Sequence, residues 1–236
     1  MQELEVGASS VFQGKLEILE FNQVWWSGFL EGWSMGKRLV ESAADVVFPI
    51  FEGEGFYKNR DGFYRGRKEF FDFLSVQLRS DGAAVALNAG VQPVFLIDSS
   101  SPDSDFMPGI SEVDCFIRKR LTPEGSADYW FSVHLPHPKI IEEVRSVFYE
   151  CGLPFFRFFE TLSGVGEVLS VENIEGGKLP EFLSMMTRSR LALLCAKINI
   201  ELNRLKLAKE AAEYGLSVCG MAVSLKREFK NILSIS

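Results

Sequence analysis

Apolar and polar residues alternate strictly over 128–135: Tyr129, Phe131, Val133 and Leu135 interleave with Trp130, Ser132 and His134. A period of two predicts a strand with one face buried. The same pattern recurs where Val113, Cys115 and Ile117 alternate with Glu112, Asp114 and Arg118, predicting a strand over 112–121. Shorter apolar runs predict strands at 83–88 and 91–97. From Pro138 the period changes. Ile140, Ile141, Val144, Val147 and Phe148 form a single helical stripe, with Pro138 in the first turn and Gly152 and Pro154 at the stop. That pattern predicts a helix over 138–151. Strands at 155–161 and 166–172 are expected to follow. Residues 128–161 would then form a strand–helix–strand unit, with parallel pairing open to it.

The flanks read as helical. Residues 16–47 are apolar but poorly patterned, and Gly28, Gly32 and Gly36 weaken them as a helix. A break near Gly32–Gly36, a short helix over 37–47 and a stop at Pro49 are expected. Phe70, Phe71, Leu74 and Leu78 are spaced as on one helical face, predicting an amphipathic helix over 67–78 that ends at Asp81-Gly82. Over 180–233, Leu191, Ile198, Leu205, Ala212 and Cys219 recur every seven residues. This heptad-like run predicts a helix packed along the sheet, with Gly215 and Gly220 as breaks. The fold class expected is therefore α+β. A mixed or mostly antiparallel sheet over about residues 83–172 is flanked by N-terminal helices and by a long C-terminal helix or helical hairpin.

Charge modifies this picture. The net charge is −7, but its distribution is uneven. From Lys178 to Ser236 there are ten Lys/Arg and five Asp/Glu, so residues 1–177 carry −12 and the remainder +5. The domain reading is an acidic α+β body over 1–177 with a basic helical segment, 178–236, packed on it. Either the two neutralise each other or the basic segment meets a partner. Phe is the compositional outlier, at 21 residues against 5 Tyr and 4 Trp. Most of these rings belong in a core. Cys115, Cys151, Cys195 and Cys219 form no Cys-x-x-Cys pair. They read as reduced, mostly buried thiols, with no structural zinc site. The opening residues lack the basic and apolar regions of a cleaved signal, and no apolar run reaches the ~20 residues of a spanning helix. A soluble, cytoplasmic protein is expected; secretion without a cleaved signal stays compatible with the sequence.

Three segments could carry chemistry. Gly32-Trp33-Ser34-Met35-Gly36 resembles the nucleophile elbow of the α/β-hydrolases. The resemblance implies Ser34 as nucleophile, with Asp98 and then His134 (or His137) following in that family's order of acid and base. The loop Asp98-Ser99-Ser100-Ser101-Pro102 is similar to an integrin-type metal site, but Pro102 stands where a serine ligand belongs. No metal and no cofactor is expected. The third segment is basic and aromatic. Lys58, Arg60, Arg65, Arg67 and Lys68 place five cations in eleven residues, beside Phe56, Tyr57, Phe63 and Tyr64. That composition suits stacking on bases and pairing with phosphates. Asn59-Arg60-Asp61-Gly62 would supply the hairpin turn that displays it, and Arg118, Lys119 and Arg120 would add to it if adjacent.

These observations favour a non-enzymatic interaction or regulatory protein that binds a macromolecular partner. Its surface would be the 55–68 segment, the helix over 181–212, or both. A protein partner is expected. Nucleic acid or another polyanion bound through Phe56, Tyr57, Lys58, Arg60, Phe63, Tyr64, Arg65 and Arg67 is the alternative. A serine hydrolase is the third reading. The C-terminal helix is the natural surface for a homo-oligomer.

Overall fold

The computed structural model describes residues 44–59, 62–97, 110–134 and 137–235. Its centre is a six-stranded antiparallel sheet. The strands are β1 (Tyr57–Asn59), β2 (Gly62–Gly66), β3 (Phe70–Leu78), β4 (Ala84–Pro93), β5 (Ile117–Leu121) and β6 (Phe131–Ser132). They run in the order β1-β2-β3-β4-β5, and β6 pairs with the start of β4 on the β5 side. The α+β class holds, with the sheet antiparallel throughout. It spans 57–132 rather than 83–172, and no parallel pair occurs among the described residues.

Helices follow the sheet and precede it. The chain is helical over 44–52 (α1), and continues through Pro49, where a stop was expected. Val47, Ile50 and Phe51 are buried there, so packing holds the turn beyond the proline. The predicted helix after β6 is present as α2 (His137–Val147) and passes through a π-turn, Phe148–Gly152, directly into α3 (Leu153–Phe158). Then come α4 (Leu162–Val168), α5 (Val171–Gly176), α6 (Glu181–Ser184), α7 (Arg188–Glu201), α8 (Leu205–Val218) and α9 (Val223–Leu233).

Two expectations are corrected here. Residues 67–78 were read as a helix, but 70–78 form the long strand β3, whose whole length pairs with β4 from Phe70↔Pro93 to Leu78↔Val85. Phe70, Leu74 and Leu78 are four apart, a spacing that fits a helix face and also one face of a strand, because four is a multiple of two. The strands expected at 155–161 and 166–172 are helices α3, α4 and α5. Their density of Phe and Val favours strands as a propensity. Local caps and burial override it. Thr161 Oγ1 accepts from Gly164 N at 3.1 Å, Ser170 Oγ accepts from Asn173 N at 3.2 Å, and the Glu69 carboxylate accepts from Leu162 N at 2.6 Å. These bonds satisfy amides that a helix start leaves open. The strand–helix–strand unit is therefore absent.

The core is aromatic. Phe51, Phe56, Phe63, Phe148 and Phe156 meet edge-on or tilted between α1, the first hairpin and α2–α3, with centroids 4.9 to 6.4 Å apart. Edge-to-face contact suits the quadrupole of the ring. Helix α7 is buried on nearly every side, through Leu191, Leu193, Leu194, Cys195 and Ile198. The unbroken buried run Leu191–Ala196 places α7 at the centre of the helical region, packed against α4, α5, α8 and α9. The C-terminal region is thus a set of short packed helices rather than one rod. Its breaks fall at Asn203 (φ 56°) and Gly220 (φ 55°), both left-handed. Gly215, expected as a break, lies inside α8.

Candidate functional site

The basic aromatic segment is divided between core and surface. The hairpin forms as expected, with Asn59 opposite Gly62. Phe56 and Phe63 are 1% exposed and belong to the core. Tyr57 is 65% exposed and packs its ring against Tyr64, its cross-strand partner, at 5.8 Å. Lys58 pairs with Asp45 of α1. Arg60 lies outside the described residues.

Arg65 and Arg67 point to the helix side of the sheet and grip one carboxylate. Asp72 is fully buried and stands directly opposite Arg65 in the β2–β3 register. Arg65 donates to Asp72 Oδ2 from Nε at 3.0 Å and from Nη2 at 2.8 Å, and Arg67 Nη2 donates to Oδ1. Each guanidinium then reaches a main-chain carbonyl of another element. Arg65 Nη1 donates to Glu54 O at 2.8 Å, and Arg67 Nη1 to Phe156 O at 3.2 Å. Arg65 also lies over the Phe56 ring at 4.5 Å. Burial pushes the Asp72 carboxyl up, while the charges of Arg67 and Arg65 pull it back. The cluster is a clamp between sheet and helices, and these two cations are engaged by it. Arg118, Lys119 and Arg120 lie on β5, separated from β2 by β3 and β4. At about 4.8 Å per strand that is roughly 14 Å, so they do not extend the hairpin surface.

The opposite face of the sheet carries a different set of groups. Ser75 and Gln77 on β3, Asn88 on β4, and Arg118 and Arg120 on β5 line a groove of about 590 Å³, with Glu112 and Val113 at its border. Strand alternation puts these side chains on one face. Gly90 makes the floor possible. A Cβ there would stand 2.7 Å from Cys115 Sγ and 3.2 Å from Glu112 O, so only glycine lets the 111–116 segment lie on β4. That segment opens with a capping box, in which Asp114 accepts from Ser111 N and Oγ, both at 2.9 Å.

A hydrogen-bond chain crosses the groove. Ser75 Oγ donates to Glu112 Oε2 at 3.2 Å. Asn88 Nδ2 donates to Gln77 Oε1 at 3.3 Å, and Arg120 Nη2 donates to the same oxygen at 3.1 Å. Arg120 stacks on Trp130 at 4.8 Å and lies 3.7 Å from Asp128, which accepts from Trp130 Nε1 at 2.8 Å. Arg120 Nη1 is buried and has no hydrogen-bond partner among the described residues. Glu112 is 7% exposed, and burial raises its pKa against the opposing charge of Arg118, the Ser75 bond and Arg120.

A second groove, of about 320 Å³, adjoins the first across Val113 and Arg118, which line both. Gln92, Cys115 and Phe116 form part of it, and α7 supplies Arg190 and Lys197. Arg190 Nη2 donates to Phe116 O at 3.1 Å, and its guanidinium covers the Phe116 ring at 5.1 Å. Lys197 pairs with Glu228 at 2.9 Å. Val113 stands between the grooves, 64% exposed. Burial drives the Cys115 thiol far above its ordinary pKa, which suits packing rather than nucleophilic attack.

Of the hydrolase residues, Ser34 and Asp98 lie outside the described residues. His134 is exposed in the turn after β6, and His137 opens α2. The loop 98–109 likewise lies outside them. No group of three or more His, Cys, Asp or Glu positioned to hold a metal occurs among the described residues, and no helix among them is long and apolar enough to cross a membrane. The paired grooves were missed at the sequence level. Arg118 and Arg120 were noted only as an addition to the hairpin, and nothing in the sequence brings Arg190, some 70 residues later, beside Phe116.

Residues 47–157 are similar to a family described as a domain of unknown function, DUF4304. The matched stretch runs from α1 to α3. It contains the whole sheet and the Arg65–Asp72–Arg67 clamp, and it stops before α7. No curated protein and no solved structure matches the chain.

Proposed function

We propose that the protein is an interaction protein that docks a macromolecular partner on the sheet face bearing Arg118 and Arg120. The observation that supports this reading is the pair of grooves meeting at Val113, lined by guanidinium, amide and hydroxyl groups and divided by an exposed apolar side chain. Arg118 and Arg120 can hold a ligand by charge-assisted hydrogen bonds, and Val113 adds an apolar contact between the two grooves. The hairpin surface read from the sequence is less suited, because the buried Asp72 carboxylate neutralises Arg65 and Arg67, whereas Arg118 and Arg190 bond the neutral main-chain carbonyls of Val113 and Phe116 and keep their charge.

The test is site-specific photocrosslinking in the native host. A benzophenone amino acid at Val113 is expected to give a discrete adduct that Arg118→Glu abolishes. The same label at Leu207, exposed on α8, is the control. No adduct from Val113, or the same adducts from both positions, overturns the reading.

A further inference from the structure

We infer that the partner's docking segment is an acidic peptide with an apolar side chain at its centre. This rests on the docking reading above and names the chemistry of what docks. Two observations carry it. Cations stand on both sides of Val113: Arg120 in the first groove, Arg190 in the second, and Arg118 in both. Val113 supplies an apolar contact between them, at 64% exposure. Two carboxylates flanking an apolar side chain would complement this order of charge, apolar ridge and charge. Asn88 and Gln77 offer amides to the peptide backbone.

The acidic groups nearby decide between ligand classes. Asp114 is engaged as a cap, Asp128 lies beside Arg120, and Glu112 is buried against Ser75. With these in place and Lys197 paired to Glu228, the grooves present Arg118, Arg120 and Arg190, too few cations for a nucleic acid backbone, which presents one charge per roughly 1.7 Å of duplex. A short segment carrying two or three carboxylates matches that small set of cations.

The experiment is a titration of the ¹⁵N-labelled 236-residue chain with the blocked peptide Glu-Asp-Phe-Asp-Glu. Controls are the same peptide with Ala for Phe, with Lys for every acid, and a single-stranded oligothymidylate. The expected result is shift changes at Val113, Arg118, Arg120 and Arg190 with the first peptide, weaker binding of the Ala form and none of the Lys form. Losing the charge-assisted bonds of Arg118 is expected to weaken binding about ten- to a hundredfold. It is read with both Arg118→Gln and Arg118→Glu, each checked for a native circular dichroism spectrum. No shift with the acidic peptide, equal binding of the Ala form, or tighter binding of the oligonucleotide overturns the inference. If Val113 crosslinks a partner while the acidic peptide fails to bind, the ligand class is wrong and the docking reading stands; if neither occurs, both fall.

Discussion

Gly215 of α8 lies against the Phe229 ring of α9, so that a methyl group at Gly215 would stand 2.2 Å from Phe229 Cζ and 2.3 Å from Cε1. Phe229 is fully buried and cannot swing away. Ala in a helix interior is favoured over Gly by about 1 kcal/mol, while overpacking a core removes about 1–3 kcal/mol. The contact is closer than van der Waals packing permits, and the overpacking term prevails. Gly215→Ala is expected to destabilise the protein by about 2 kcal/mol, seen as a lower urea midpoint at unchanged slope. Combined with Phe229→Leu, the two changes are expected to be non-additive, since they share one contact.

Asp72→Asn is expected to be among the most damaging single-atom changes in the sheet. It leaves Arg65 and Arg67 gathered around a neutral amide, and breaking a buried ion pair by removing one partner takes away about 3–5 kcal/mol. Chemical denaturation measures it. Arg65→Met is expected to lose less, because Arg67 still pairs with the carboxylate.

Glu112 sets a pH dependence. Burial raises its pKa in the folded protein, so folding favours the protonated form. Below the unfolded value both states are protonated and the residue contributes no pH dependence. As pH climbs from there through the raised folded value, the folded state loses stability relative to the unfolded one. Glu112→Gln keeps the acceptor for Ser75 and removes the titration. The variant is expected to match the parent in acid and to become progressively more stable than it toward neutral pH, as thermal melts across that range would show. The groups facing Glu112 are Arg118, Arg120, Asp114 and Ser75. An acidic ligand placed among them adds negative charge, so binding is expected to take up a proton and to strengthen as pH falls.

The four cysteines are all free, and their reactivity is expected to be ordered by burial. Cys195 is 3% exposed with its thiol pushed up to about 12, Cys115 is buried with its thiol pushed higher still, and Cys219 is 6% exposed. Cys151 is partly exposed. A thiol reagent at neutral pH is expected to label Cys151 first and the other three only on unfolding, as peptide mapping would resolve.

What was legible in the sequence follows from which signals are unambiguous. The stripe Ile140-Ile141-Val144-Val147 has no strand equivalent, and α2 stands where it was expected. The alternation around Ile117 gave β5, though Glu112–Asp114 form a turn because Gly90 leaves room for the chain to lie across β4. β3 was misread because its spacing satisfies two periods and because the buried Asp72 interrupts the apolar face. Of the partners that make Asp72 tolerable, Arg65 sits on another strand and Arg67 just past its end. The helices after residue 153 include two capped starts, at Thr161 and Ser170, which the expectation of strands at 155–161 and 166–172 left out of account. The grooves were not legible at all, because they depend on strand order and on the docking of α7.

The clamp around Asp72 also bears on how freely this sequence can drift. Arg65 and Arg67 each end on a main-chain oxygen, at Glu54 and Phe156. Every residue type supplies that oxygen, so the side chain at 54 can be exchanged without removing the bond. Three letters, Arg65, Arg67 and Asp72, therefore hold the hairpin to both of its helical neighbours. Substitutions are expected to accumulate at the exposed positions around this anchor, while the anchor and the buried Phe56, Phe63 and Phe70 do not move, a pattern that a library randomised over 54–72 and sorted for folded protein would reveal.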